Sequence, residues 1–562
     1  MVLSRRKFIT QVAAISGMGA AFLSMQALGL ASTVFAEPAP ILPVKIGNGT
    51  HVVILGAGIA GLVMAYRMER AGFSVTLVEA RRRTGGRNWT LRHGDKVEMI
   101  GEAEQTVGFS EGMYFNAGPA RIPSHHQGLL SYCKLLGVPL EVEVNFSDSA
   151  LLQADGVFAG KPIQERQAIN DFRGRIAELL SKATNRGALD QELTADDKQR
   201  LIVFLRNYGD LSKDNLYKGS ERAGYKVSPG AYDQVGLRRD PLSLRDLLRD
   251  DQLPDMMFDD MIDMQATMFE PMGGMDRIPA AFHTAIRSPI LLGAEVSSIR
   301  QTSERTEIVY RDRRSGQSHK LSADYVVCTI PLPVLAGIDT DFSARVKQAI
   351  AGAKYDHAAK VAFESPRFWE AEQIYGGLSF GGAATGAVWY PSSGYQFARG
   401  VILGAYVAGE PGEAFEALPI AKQIDMARNA VDKLHPGHGV DLSAPVAVDW
   451  SRIPYNLGPW IHWTDSTFDT NAYRLLNQPE GRIYFSGAHL SQLPSWQEGA
   501  VLAAHRTIEL IASRVGAATS PAKRQRSCAA DRSKEDLPRC DLHDTRYGVP
   551  TLEQRRQRDS PA

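Results

Sequence analysis

The run His51-Val-Val-Ile-Leu-Gly-Ala-Gly-Ile-Ala-Gly61 constrains this chain more than any other stretch. Four apolar residues predict a buried strand, three glycines a tight turn, and a helix comes next. Gly56 allows the sharp strand-to-helix turn and Gly58 lets the backbone approach a pyrophosphate. Gly61 lets the helix pack closely on the sheet, so that its positive N-terminal end faces the phosphates. A second strand, Ser74-Val75-Thr76-Leu77-Val78, delivers Glu79 where a carboxylate accepts hydrogen bonds from ribose hydroxyls. Strand, turn, helix, strand and acid together predict a dinucleotide site.

The residues after Glu79 choose the dinucleotide. Glu79-Ala80, Arg83 and Gly85-Gly86-Arg87, with Thr90 just after, resemble the second fingerprint of the flavin-containing amine oxidases. Two glycines and an arginine beside the pyrophosphate suit an FAD that stays bound. The resemblance implies cofactor contacts at Gly56, Gly58, Ala60, Gly61, Glu79, Ala80, Arg81, Gly86 and Arg87, although a basic surface loop suits Arg81 and Arg82 equally well. It spans residues 50 to 513 and implies an α/β fold: a Rossmann-type FAD-binding domain assembled from discontinuous segments, a mixed-sheet substrate domain and a helical insertion.

Gly118-Pro119-Ala120-Arg121-Ile122-Pro123 is similar to the segment of L-amino acid oxidases whose arginine grips the substrate carboxylate. A guanidinium fork fits a carboxylate in a bidentate way, which a plain amine would not need. The bland alternative pairs Arg121 with a structural carboxylate. Lys360, in Ala358-Ala359-Lys360-Val361-Ala362-Phe363 ahead of Phe368-Trp369, matches the family's lysine, which holds a water near flavin N5 and is implicated in the reaction with oxygen. Ile483-Tyr484-Phe485-Ser486-Gly487, then Ser495-Trp496-Gln497-Glu498-Gly499-Ala500, resembles the closing flavin motif, whose helix points its N-terminus at the flavin pyrimidine ring. Trp496 falls at the aromatic position beside the isoalloxazine, and Trp460, counted back from Tyr484, at the second. Gly118, Pro119, Arg121, Val296, Gly487, Ala488 and Trp496 complete the implied cofactor contacts.

Two departures stand out. The family usually has Gly-Glu in the last motif; here Gly487-Ala488 precedes His489, which removes one contact to the ribityl chain. Pro459 stands where some relatives carry a cysteine joined to the flavin, so the FAD is expected to be noncovalent. The implied reaction moves a hydride from Cα–H of a neutral amine to flavin N5. The imine then hydrolyses to a 2-oxo acid and ammonia, and oxygen is reduced to hydrogen peroxide. Orientation matters more here than a strong protein base. His125 and His126 lie just past Arg121, where they could assist in deprotonating the ammonium, but their spacing reads more readily as a helix surface. An amino-acid monooxygenase and a monoamine or polyamine oxidase of the same family remain open, as does a flavoprotein kept for binding with little turnover.

Ser4-Arg5-Arg6-Lys7-Phe8-Ile9 and the weakly apolar stretch to Ala36 read as a twin-arginine signal, predicting a periplasmic or secreted protein. That pathway exports folded proteins, which suits a chain that loads its cofactor first. Gly, Ser and Gln make the stretch a poor spanning helix, so no stable membrane span is expected after its removal. A formal net charge of zero argues against nucleic acid as a partner. The expected partners are a small amino acid or amine and oxygen, with self-association left open. Four cysteines are too few for a disulfide scaffold, and no metal-ligand spacing appears. Cys328 reads as a core thiol, Cys133 sits on an expected helix, and Cys528 and Cys540 lie close enough to pair. The expected order is signal to 36, FAD domain 37–121, a mainly helical segment 122–264, FAD domain 265–335, mixed sheet 336–470, FAD domain 471–515, and a disordered charged tail 516–562. Paired strands are expected over Val296–Arg311, and the last helix over Gln497–Ser513.

Overall fold

The computed structural model describes residues 39–250, 253–382, 384–463 and 471–519. The twin-arginine stretch, Cys528, Cys540 and the tail beyond Thr519 lie outside the described residues.

The apolar run of the first motif forms strand His51–Leu55 at the centre of a five-stranded sheet. Its members, in order, are Ile290–Leu292, Ser74–Glu79, His51–Leu55, Tyr325–Cys328 and Ile483–Phe485, all parallel. A parallel sheet is covered on both faces, which is why its strands read as unbroken apolar runs. Alternate residues divide between the two covers. Val52, Ile54 and Leu77 pack against helices Ile59–Arg70 and Gln497–Thr519. Val53, Leu55, Val78 and Val326 face Ile299 and Ile308, from a four-stranded sheet, and Val346 and Ile350 of helix Ala344–Ala351. Three separated stretches of sequence therefore build one nucleotide-type sheet, as the fold class predicts.

The second body is a seven-stranded sheet in the order Ile163–Gln164, Leu151–Leu152, Leu378–Phe380, Ala387–Trp389, Arg399–Ala408, Ala358–Pro366 and Ser443–Asp449. Leu151–Leu152 runs parallel to Leu378–Phe380 and the other pairs are antiparallel, so the sheet is mixed.

Several local expectations change. The stretch 122–264 contains helices Gln127–Leu135, Glu165–Asn185, Ala195–Tyr208 and Leu244–Arg249, but also strands that join other sheets. Two of these, Leu151–Leu152 and Ile163–Gln164, are too short for periodicity to reveal and are defined by long-range pairing. The paired strands around Val296 are Ala294–Gln301 and Thr306–Asp312. The last helix runs to Thr519, six residues past Ser513, because Val515 still packs into the core; the first residues assigned to the tail are therefore helical. Cys133 and Cys328 are buried thiols, each pushed up to about 12 by burial.

Candidate functional site

Where the two bodies meet, a cavity of about 660 Å³ runs from the first glycine turn to the large sheet. Every residue that the sequence nominated lines it except Gly61. Gly61 instead touches the turn itself: a Cβ there would lie 2.0 Å from the Gly56 carbonyl oxygen. It therefore serves the close packing that the motif requires.

The nucleotide end is built from backbone. Gly56 adopts φ +102°, a left-handed conformation that favours glycine, and its N–H donates to the Val78 carbonyl at 2.7 Å. A Cβ on Gly58 would meet nothing within 4 Å, so that side of the turn is open space. The Glu79 carboxylate ends its strand beside the turn and accepts from the N–H groups of Ala57 and Arg81, both at 2.9 Å. Arg81 is no surface residue. It lines the cavity, lies 3.8 Å from Glu79, and hydrogen-bonds Asn456 and the Pro454 carbonyl. Only Arg82 fits the surface reading. Burial pulls Arg83 down to about 9, while its guanidinium donates to the Gly86 carbonyl and stacks on Trp89. An open glycine turn, a carboxylate at the ribose position and Arg81 and Arg87 along one wall fit a dinucleotide such as FAD.

The other end is aromatic and cationic. Lys360 is 5% exposed and its Nζ donates to the carbonyls of Asn116 (3.1 Å) and Gly118 (2.6 Å). It therefore pins the loop that carries Arg121, while an ammonium keeps a third donor. Burial first, and the Arg121 charge second, push Lys360 down to about 7. Strand register brings Tyr406 opposite both Lys360 and Ala387, so Tyr406 and Trp389 lie 5.1 and 5.7 Å from Nζ. Arg121 is equally buried, with its guanidinium 4.6 Å from the Trp389 ring and 5.3 Å from Phe258. That guanidinium donates to Asn145 Oδ1, and no carboxylate among the described residues lies within ion-pairing distance of it. The structural ion pair considered for Arg121 is thus not found there.

Trp460 and Trp496 both line the cavity. Trp460 is held by its Nε1–H donating to Asp356 at 3.1 Å, and Trp496 packs edge-on against His126 at 4.9 Å. Ala488 and Gly487 complete the wall beneath His489, whose ring burial lowers to about 3, keeping it neutral. His125 and His126 are not on a helix surface. The helix begins at Gln127, His126 is its cap residue and is 2% exposed, and His125 pairs with Asp263 at 2.9 Å. Trp389, Tyr406, Phe258, Asn145 and Asp263 were not nominated from sequence. No local signal marks them: Trp389, Tyr406, Phe258 and Asp263 reach the cavity, and Asn145 reaches Arg121, only through the tertiary fold.

Solved structures share the fold. A cyclohexylamine oxidase from Brevibacterium oxydans matches with TM-score 0.55 and 18% identity, covering 83% of this chain and 99% of that one. A putrescine oxidase matches with TM-score 0.55 and 17% identity over the same shares. Among sequence relatives, an L-amino-acid oxidase of Pseudechis australis is 27% identical over 488 residues, 83% of this chain and 88% of the relative. Another, from Siganus canaliculatus, is 28% identical over 476 residues, 82% and 85% of the two chains. The model of the flavin containing amine oxidoreductases matches residues 59–511, from the start of helix Ile59–Arg70 into the last helix, and the chain belongs to that family.

Proposed function

We propose that this protein is an FAD-dependent oxidase of L-amino acids, yielding a 2-oxo acid, ammonia and hydrogen peroxide. The observation that carries the reading is Arg121: a buried guanidinium on the cavity wall with no carboxylate partner among the described residues. A substrate carboxylate completes it, whereas a simple amine leaves it uncompensated. The names of the sequence relatives point the same way. A bound flavin supplies the hydride acceptor and passes the electrons to oxygen.

The chain's own residues do the rest. Gly56, Gly58, Glu79, Arg81 and Arg87 hold the nucleotide half of the cofactor, with Ala60, Ala80, Gly86, Gly118, Pro119, Val296, Gly487 and Ala488 along the wall. Arg121 fixes the substrate carboxylate, while Trp460 and Trp496 exclude water and orient the reacting carbon. Lys360 holds a proton close to the site of oxygen reduction. The flavin is noncovalent: Pro459 lines the cavity and no cysteine does among the described residues, so acid precipitation should leave the flavin in the supernatant. Export by the twin-arginine route belongs to the same reading, because the cofactor is loaded before translocation.

Anaerobic mixing of the flavin-loaded protein with a panel of L-amino acids and the matching amines tests this directly. Bleaching of the flavin by amino acids is expected; bleaching by the amines alone would move the protein to an amine oxidase. For Lys360→Met, reoxidation of reduced flavin by oxygen should slow by about tenfold or more while flavin reduction changes much less. With Lys360 near 7, the ammonium is present below that pH and lost above it. The wild-type reoxidation rate should therefore fall as pH rises through 7, and that slope should vanish in the variant. Stopped-flow traces in which reduction slows and reoxidation does not would remove the role.

A further inference from the structure

We propose that Asp263, backed by His125, takes the proton from the substrate's α-ammonium and so frees the amine lone pair before the Cα–H bond breaks. The proposal rests on the amino-acid oxidase reading above. Three carboxylates line the cavity. Glu79 is committed to backbone N–H groups at the nucleotide end, and Glu295 pairs with Arg311 at 2.6 Å and with Tyr455. Asp263 is the acid at the Arg121 end. It is 6% exposed, and its neighbour Met264 takes a contact from Asn145, the residue that hydrogen-bonds Arg121. One wall thus offers a cation for the substrate carboxylate and a carboxylate for the adjacent ammonium, matching the two charges of an α-amino acid.

The surroundings of Asp263 suit a proton acceptor. Burial raises its carboxyl above the usual range, with hydrogen bonds from His125 and Trp496 opposing that. His125 Nε2 lies 2.9 Å from Oδ1. His126, edge-on to His125 at 4.7 Å, is pushed down to about 3 by burial and by His125, and its Nε2 is buried with no hydrogen-bond partner among the described residues. It stays neutral and adds no charge beside Asp263. Glu498, which accepts the N–H groups of Gly128 and Leu129, faces His125 and sets a second carboxyl group near that ring. In the step, one N–H bond of the ammonium breaks and its electron pair stays on nitrogen. The proton bonds Asp263, leaving a neutral carboxylic acid, while the His125 Nε2–H keeps its hydrogen bond to the Asp263 side chain and holds it in position. The cations Arg121 and Lys360 ease the loss of charge from the substrate.

Anaerobic stopped-flow reduction of the holoenzyme by L-amino acids across pH, for wild type, Asp263→Asn and Asp263→Glu, decides the matter. At neutral pH, Asp263→Asn should reduce flavin about 10²-fold more slowly, with its flavin spectrum unchanged. Its rate should then climb by about tenfold per pH unit towards the wild-type value as free amine accumulates in solution. Asp263→Glu should recover most of the neutral-pH rate. Wild-type rates and pH profile in Asp263→Asn would overturn the proposal and leave the oxidase reading intact. A loss confined to amino acids with cationic side chains would also overturn it, because Asp263 would then read the side chain. A wild type that no amino acid reduces at any pH would overturn the oxidase reading and this step with it.

Discussion

Arg121→Ala should weaken the binding of an L-amino acid by one to two orders of magnitude and leave the corresponding decarboxylated amine almost unaffected. The guanidinium is 8% exposed, and burial already lowers its affinity for a proton, so its charge is held at a cost. Asn145 satisfies one donor, Trp389 and Phe258 give the cation an aromatic surround, and the nearby Glu143 lies outside ion-pairing distance. Burial also pushes Glu143 up to about 7, which reduces its counter-charge at neutral pH. On the proposed reading, a substrate carboxylate would be the partner this guanidinium takes. Charged hydrogen bonds of this kind contribute about 1.5–3 kcal/mol, or roughly 10- to 150-fold in Kd. The concentration dependence of anaerobic flavin reduction gives Kd for the acid and the amine in parallel. Equal loss for both ligands would mean that the substitution damaged the pocket, and no loss for the acid would sink the carboxylate assignment.

How much of this was legible in the sequence depends on the range of the interactions involved. The turn from Leu55 to Gly61 and the arrival of Glu79 are local consequences of residue type, and both lie where the motif requires. Lys360 was legible only through the resemblance, since a strand lysine is ordinarily solvated; the structure buries it between two backbone carbonyls and two aromatic rings. Trp389 and Tyr406 carried no signal, because their strands are plain apolar runs and only the register of the large sheet brings them beside Lys360. The two histidines after Arg121 misled for a related reason. Helical spacing says nothing about where a helix begins, and a start at Gln127 turns His126 inward against Trp496. Asp263, 142 positions along from Arg121 by residue number, meets the same wall only in three dimensions.

Two glycines of the first motif should fail in opposite ways when each is given a single methyl group. In Gly61→Ala the new Cβ would sit 2.0 Å from the Gly56 oxygen and 3.2 Å from its carbonyl carbon, both backbone atoms that cannot rotate aside. Helix Ile59–Arg70 must then back away from the sheet, whose wholly buried Ile54 already lies 3.4 Å from that Cβ position. Overpacking of this kind costs about 1–3 kcal/mol. The apoprotein should melt several degrees lower, and flavin should be lost because the helix N-terminus no longer meets the pyrophosphate. Gly58→Ala differs in every respect. Its φ of −74° suits alanine, and its Cβ meets no protein atom within 4 Å. The apoprotein should therefore melt at or slightly above the wild-type temperature, while the methyl occupies the space where the cofactor's phosphates approach the backbone and raises the flavin Kd by about tenfold or more. Thermal melts of the two apoproteins beside flavin titrations separate the roles. If Gly58→Ala bound flavin as tightly as wild type, the cofactor would not lie against this turn, and the nucleotide end of the cavity would need another occupant.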